Sequence, residues 1–152
     1  TDGPAAPLFP FGHGLSYTSF RYEHLEVVAG STVAPTTVSI VVTNTGTRAG
    51  DEVVQLYVTD EVASVARPSR ALVGFARITL AARESATVTF TVHPSRLAFY
   101  DEAMRFVCEP GAFLFAVGAS RTDIRARAAV DLGGEVAEYL QREIVSTAVE
   151  TD

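Results

Sequence analysis

Residues Thr87 to Val92 read TVTFTV, and this stretch decides the fold class. Val88, Phe90 and Val92 alternate with three threonines. Successive side chains of a β-strand point to opposite faces, so the stretch predicts a strand with one face in an apolar core and the other toward water. Its β-branched and aromatic residues favour the same structure.

Period-two alternation or β-rich composition recurs in further segments of the chain, and turn-forming residues separate them. These segments are residues 21–28, 38–43, 54–59, 72–80, 113–117 and 124–130. Glycine, proline and asparagine mark the connections, as in Asn44-Thr45-Gly46 and Glu109-Pro110-Gly111. No amphipathic helices lie between the segments, which argues against a parallel sheet. The sequence therefore predicts an all-β, antiparallel sandwich of about seven strands.

Composition limits the classes of partner. The 152 residues suffice for one domain, and the net charge of −6 predicts no general affinity for nucleic acid or anionic membranes. No apolar run approaches the roughly 18 residues that a membrane-spanning helix needs. Cys108 is the only cysteine, so no disulfide forms within the chain. Localisation stays open.

An irregular, apolar arm precedes the predicted strands. Its sequence from Pro7 to Tyr17 is PLFPFGHGLSY. Two prolines and two glycines oppose both helix and regular strand. Free linkers are polar, so an irregular segment this apolar is expected to lie against another surface. We predict that residues 1–20 form an interdomain docking arm, with five apolar contacts: Leu8, Phe9, Phe11, Leu15 and Tyr17.

The last residues, 134–152, depart from the strand pattern. Val136, Tyr139, Leu140 and Ile144 recur at helical spacing. The sequence IVSTAV that follows is rich in β-formers. This tail is predicted to be either a short helix or an added strand.

Four phrases of the chain, in order, resemble the C-terminal fibronectin type III-like domain of family 3 glycoside hydrolases, the β-glucosidase and β-xylosidase type. The arm is the first, and the others are VTNTGTRAGDEVVQLY at 42–57, RPSRALVGF at 67–75 and FYDEAMRFVCEPGAFLFAVG at 99–118. The resemblance implies an immunoglobulin-like β-sandwich over residues 21–133.

The resemblance also implies a function. Such a domain is a non-catalytic accessory domain that stabilises and orients the catalytic domains of the same polypeptide, which hydrolyse O-glycosyl bonds. In that family the nucleophilic aspartate precedes a tryptophan in the N-terminal barrel, and this chain has no tryptophan. The acid/base residue usually belongs to the preceding α/β domain. No catalytic residue is therefore assigned here, and neither a cofactor nor a metal is expected.

The acidic residues and the histidines also indicate neither a catalytic site nor a metal site. Glycoside hydrolysis needs two carboxyl groups that flank one bond. The acids occur as adjacent pairs, whose side chains diverge on a strand: Asp51-Glu52, Asp60-Glu61 and Asp101-Glu102. The three histidines are scattered without metal-ligand spacing.

Two other function classes remain open, an independent carbohydrate-binding module and an adhesin-like structural domain. The first would stack sugars on aromatic side chains, and its candidates are Tyr57, Phe99 and Tyr100. Arg67 and Arg70 form a possible cleft-side loop, or else protect a strand edge from pairing. Without its partner domains, the chain could also self-associate through the arm.

Overall fold

The chain forms eleven strands and one 3-10 turn within the described residues, 8–60 and 70–151 of a computed structural model. No helix in these two ranges is long and apolar enough to cross a membrane. The strands are β1 (Phe20–Val28), β2 (Thr36–Asn44), β3 (Gly50–Asp60), β4 (Ala71–Leu80), β5 (Ser85–Val92), β6 (Phe99–Tyr100), β7 (Phe106–Cys108), β8 (Gly111–Gly118), β9 (Ile124–Leu132), β10 (Ala137–Glu138) and β11 (Ser146–Thr151). The 3-10 turn is Pro94–Arg96.

Two four-stranded antiparallel sheets form the sandwich. The first has the order β1-β2-β5-β11, the second the order β4-β3-β8-β9, and a small third sheet has the order β10-β7-β6. Among the described elements, seven strands have eight or more residues: β1, β2, β3, β4, β5, β8 and β9. The predicted antiparallel β-sandwich is confirmed.

The stretch TVTFTV lies in the middle of the first sheet, as β5. Val88 pairs with Ile40 of β2 on one side and with Val149 of β11 on the other. Val88 and Phe90 are both completely buried, while the threonines between them are partly exposed. The apolar residues of the alternating sequence thus form the core face of β5, and the threonines form its outer face, because successive side chains of a strand point to opposite sides.

A single apolar core fills the space between the sheets. The first sheet contributes its inward row, and the second sheet meets it with aromatic and aliphatic side chains from β3 and β8. The core includes Val38, Ile40, Val42, Val54, Leu56, Val88, Phe90, Phe113, Phe115 and Val117. Cys108 is buried at the edge of this core.

The tail is held on the sandwich as strands, so the helical alternative is wrong. Tyr139 donates its backbone N–H to the carbonyl of Phe106 over 2.7 Å, and Glu143 donates its own to Ser95 Oγ over 2.8 Å. Residues 146–151 then pair with Ala86 to Thr91 on the outer edge of β5. That edge offers N–H and C=O groups that a helix would leave unpaired, so the β-rich end of the tail adds a strand instead.

Candidate functional site

The arm lies on the outer face of the second sheet, and two sets of hydrogen bonds attach it there. At its start, the carbonyl of Gly12 accepts from Gln55 Nε2 over 3.0 Å, and the carbonyl of Phe11 accepts from the N–H of Arg121 over 3.1 Å. Near its end, the carbonyl of Ser19 accepts from the N–H of Thr45 over 2.8 Å. The arm backbone is therefore attached to the sandwich at Phe11 and Gly12 and again at Ser19.

Gln55 is the centre of the first attachment. Its side chain is 4% exposed, and its amide donates to Gly12 and also to the carbonyl of Ala119 over 2.6 Å. Its Oε1 accepts from the hydroxyl of Tyr57 over 2.6 Å. Both donor hydrogens and the acceptor of the amide thus have partners, as a buried polar group requires.

Tyr57 is buried, which corrects the prediction that it offers an exposed ring to sugar. It stands two residues after Gln55 on β3, yet it is only 1% exposed. Its hydroxyl belongs to the Gln55 network, and burial raises the pKa of that hydroxyl while Arg121 and Arg70 lower it. Every residue from Val54 to Val58 is buried, so both faces of this part of β3 are covered.

Asn44 organises the second attachment. Its buried side chain donates to the carbonyls of Arg48 and Leu80 over 2.9 and 3.1 Å. Its Oδ1 accepts from the hydroxyl of Thr18 over 2.6 Å. The end of the arm is therefore tied to the turn between β2 and β3.

Gly12 can be only glycine in this arrangement. Its φ of +80° lies in the left-handed region that L side chains rarely adopt. A Cβ at this position would also stand 2.1 Å from Gln55 Oε1. Gly14, two residues later, differs, because a Cβ there would meet nothing within 4 Å.

The five predicted docking side chains of the arm are largely exposed to solvent. All are at least 64% exposed although the backbone is attached, with these values: Leu8 88%, Phe9 68%, Phe11 64%, Leu15 93% and Tyr17 93%. The contacts that they would make with another domain stay a prediction.

A cavity of about 670 Å³ lies between the arm and the sheet. Phe11 and Leu15 line it from the arm, and Val53, Leu72 and Phe75 line it from the strands. Phe75 is 65% exposed and Val53 is 38% exposed. Sequence reasoning placed residue 75 on a strand but missed this role. The sequence could have predicted this exposure. Phe75 lies on the same face of the strand as the polar residues Arg77 and Thr79, and that face is opposite the core.

The charged groups beside the cavity are paired with one another. Asp51 accepts from the hydroxyl of Thr79 over 2.6 Å and from the guanidinium of Arg77, and these two bonds lower the pKa of its carboxyl. Asp123 is paired in the same way with Arg125, whose Nη2 lies 2.8 Å from Asp123 Oδ2.

Glu52 lies on the other face of β3 from Asp51, as its neighbouring position on a strand predicts. Burial raises the pKa of its carboxyl, while a hydrogen bond from the N–H of Val53 and the charge of Arg125 lower it. The side chains of Asp51 and Glu52 therefore diverge on the strand, although both residues contribute to the lining of the cavity. In the described ranges no three acidic, histidine or cysteine residues form a cluster that could hold a metal ion.

The remaining predicted site residues are not brought together at one site. Phe99 is 8% exposed and Tyr100 is 59% exposed, so the two do not form a shared stacking surface. Arg70 Nη1 donates to the carbonyl of Arg121 over 2.6 Å, in the turn that also bonds the arm. Arg67 lies outside the described residues. Whether any of these residues contacts carbohydrate stays a prediction.

Comparison with known proteins finds a family match and relatives that are named as β-xylosidases and β-glucosidases. Residues 52–121 match the family described as fibronectin type III-like domain. A β-xylosidase of Formosa agariphila is 49% identical over 119 residues, which are 75% of this chain and 16% of that protein. The thermostable β-glucosidase B of Acetivibrio thermocellus is 41% identical over 149 residues, 95% of this chain and 19% of that protein.

Solved structures agree with these relatives. A β-glucosidase from Listeria innocua, in complex with glucose, matches 90% of this chain and 19% of its own with a TM-score of 0.83 and 34% identity. The GH3 β-glucosidase of Bifidobacterium adolescentis matches 81% of this chain and 18% of its own with a TM-score of 0.77 and 38% identity. The chain thus spans less than a fifth of the length of each of these relatives.

Proposed function

This chain belongs to the fibronectin type III-like domain family, and we propose that it is the non-catalytic accessory domain of a family 3 glycoside hydrolase. It stabilises and orients the catalytic domains of the same polypeptide. One observation carries the proposal: the arm presents Leu15 and Tyr17 at 93% exposure on a backbone that is attached to the sandwich before them, at Gly12, and after them, at Ser19. Large apolar side chains held in water in this way are typical of an interaction surface.

The arm is suited to docking because its geometry is set before contact. Gly12 and Ser19 already accept hydrogen bonds from the sandwich, so docking has less backbone entropy to remove than it would in a free linker. The exposed side chains then gain about 2.5 kcal/mol for each 100 Å² of apolar surface that they bury. A contact of a few hundred Å² would fix the domain firmly on its neighbours.

The contribution of this domain to hydrolysis is positional. The two carboxyl groups of the reaction belong to the catalytic domains, and their separation and orientation decide the rate. An accessory domain that packs against the catalytic domains would restrict the movement of those domains relative to each other without touching the substrate. We propose β-glucosides or β-xylosides as substrates of the whole polypeptide, since the relatives carry those names.

The test compares three proteins: the whole encoded polypeptide, the same polypeptide without residues 1–152, and this chain alone. We expect the whole polypeptide to hydrolyse an aryl β-glucoside or an aryl β-xyloside. The chain alone should hydrolyse neither, and the shortened polypeptide should inactivate at a lower temperature. Enzymatic hydrolysis by the chain alone, or unchanged stability of the shortened polypeptide, would contradict the proposal.

A double variant ties the effect to the arm. L15S with Y17S should lower the inactivation temperature of the whole polypeptide. The matched control is V33S with V28S, which removes one exposed valine at the opposite end of β1 and one in the loop that follows. If both double variants behave alike, the arm has no particular role in docking.

A further inference from the structure

The outer face of the second sheet carries an apolar surface that belongs to β3 and β4 and not to the arm. Phe75 lies directly across from Gln55 in the β3–β4 register, next to the residue that holds the arm. Val53 precedes Gln55 by two positions on the same strand face. No other described residue covers Phe75, which remains 65% exposed. We call Val53, Leu72 and Phe75 the sheet patch.

The arm and the sheet patch enclose the same cavity from two sides. Phe11 and Leu15 line it on the arm side, and the sheet patch lines it on the other. The arm is attached at Gly12 and again at Ser19, so its middle spans the cavity without filling it. A volume of about 670 Å³ is large enough for several apolar side chains.

Charge argues for an apolar occupant. Asp51 is already bonded to Arg77 and Thr79, and Asp123 is paired with Arg125. Two of the three carboxylates at the cavity are therefore balanced by arginines, and the third, Glu52, is partly buried and accepts from the N–H of Val53. A charged partner would have to break these pairs, whereas an apolar one would leave them at the rim, as in many protein interfaces.

We propose that the sheet patch and the cavity receive apolar side chains from the catalytic domains of the same polypeptide. This inference rests on the proposed function and extends it from the arm to the sandwich itself. More than four fifths of the length of the relatives lies outside the match to this chain. Residues 11–20 of the arm border the cavity, so a domain joined to the arm would be held beside the cavity at high effective concentration.

The catalytic domains therefore contact the arm on its outer side and insert side chains beneath it. The arm then packs against the catalytic domains both on its outer side and on the side that faces the cavity. A second copy of the chain fits less well, because it would bring another net charge of −6 to the same place.

The test uses F75S in the whole polypeptide and in the chain alone. Because Phe75 is mostly exposed, we expect the unfolding temperature of the chain alone to stay within about 1 °C of the parent value. The whole polypeptide should instead unfold and inactivate several degrees lower. Y100S is the matched control, since Tyr100 is an aromatic residue of similar exposure on the small sheet. Its effect should be the same in both proteins.

A loss confined to the whole polypeptide for F75S supports the inference. An equal effect in both proteins, or none in either, overturns it. A concentration-dependent dimer of the chain alone that F75S abolishes also overturns it, because the occupant would then be a second copy. If L15S with Y17S has no effect in the whole polypeptide, the proposed function fails as well. If that double variant has its effect and F75S has none, only this inference fails.

Discussion

The side-chain amide of Gln55 donates a hydrogen bond to the carbonyl oxygen of Gly12, 43 residues earlier in the chain, over 3.0 Å. The same amide group also binds Ala119 and Tyr57. One buried side chain thereby connects the arm, the central strand of the second sheet and the turn after β8. Together with the attachment at Thr18 and Ser19, this group holds Leu15 and Tyr17 of the arm in place.

The first prediction concerns this network. Q55A removes the partners of Gly12, Ala119 and Tyr57 at once and leaves a buried hydroxyl without a hydrogen bond. We expect a loss of about 2–3 kcal/mol in the free energy of unfolding, measured by urea denaturation. Y57F removes only one bond of the network and should cost about 1 kcal/mol. Equal stability of Q55A and the parent chain would show that the network does not hold the arm.

The second prediction separates Gly12 from Gly14. G12A places a methyl group at a φ of +80° and 2.1 Å from Gln55 Oε1, so the start of the arm should detach. We expect faster hydrogen exchange at the N–H of Arg121, which donates to Phe11 in the parent chain. G14A is the control, because open space surrounds its Cβ. Similar exchange in both variants would contradict the attachment described here.

The third prediction concerns pH and two adjacent carboxyl groups. Burial raises the pKa of Glu52 in the folded chain above its unfolded value of 4.5. Its carboxyl group therefore favours folding at pH values below 4.5, and this contribution is lost as pH rises through the folded pKa. E52Q should therefore be more stable than the parent chain at pH 7, and the difference should vanish below pH 4.5. The pKa of Asp51 is lowered by Thr79 and Arg77, so its contribution is present above its unfolded value of 3.8 and lost as pH falls through the folded pKa.

D51N should accordingly differ from the parent chain in the opposite direction, with lower stability at pH 7. Thermal unfolding from pH 3 to pH 8 measures both differences. If E52Q and D51N shift stability at pH 7 in the same direction, the assigned environments are wrong.

The fourth prediction concerns the added strand. A chain that ends at residue 145 lacks β11 and exposes the outer edge of β5, whose six pairs with β11 are then lost. We expect a lower unfolding temperature and a tendency to associate through the free edge. L140S is a control within the tail, since Leu140 is 99% exposed. An unchanged unfolding temperature of the shortened chain would mean that β11 adds nothing to the sandwich.

The strands could be predicted because their signal is local. In β5 the alternation of Val88 and Phe90 with threonine needs only the strand period to define two faces. The arm was recognisable for a similar reason, since prolines, glycines and apolar side chains occur together in one short stretch.

The burial of Tyr57 could not be predicted in this way. Its position on β3 gives the strand face, but its burial and its bond to Gln55 depend on what covers that face, and those residues are distant in sequence. The tail posed a related problem. Val136, Tyr139 and Leu140 have helical spacing, and only the free edge of β5, more than 50 residues earlier, decides in favour of a strand.

The central claim is that the arm docks on catalytic domains of the same polypeptide, and hydroxyl-radical footprinting of Leu15 and Tyr17 tests it most directly. Both side chains are 93% exposed in this chain, so the chain alone should be labelled strongly at both. In the whole polypeptide we predict strong protection at both residues, with unchanged labelling of Val33 as the internal reference. Equal labelling of Leu15 and Tyr17 in the two proteins would contradict the claim.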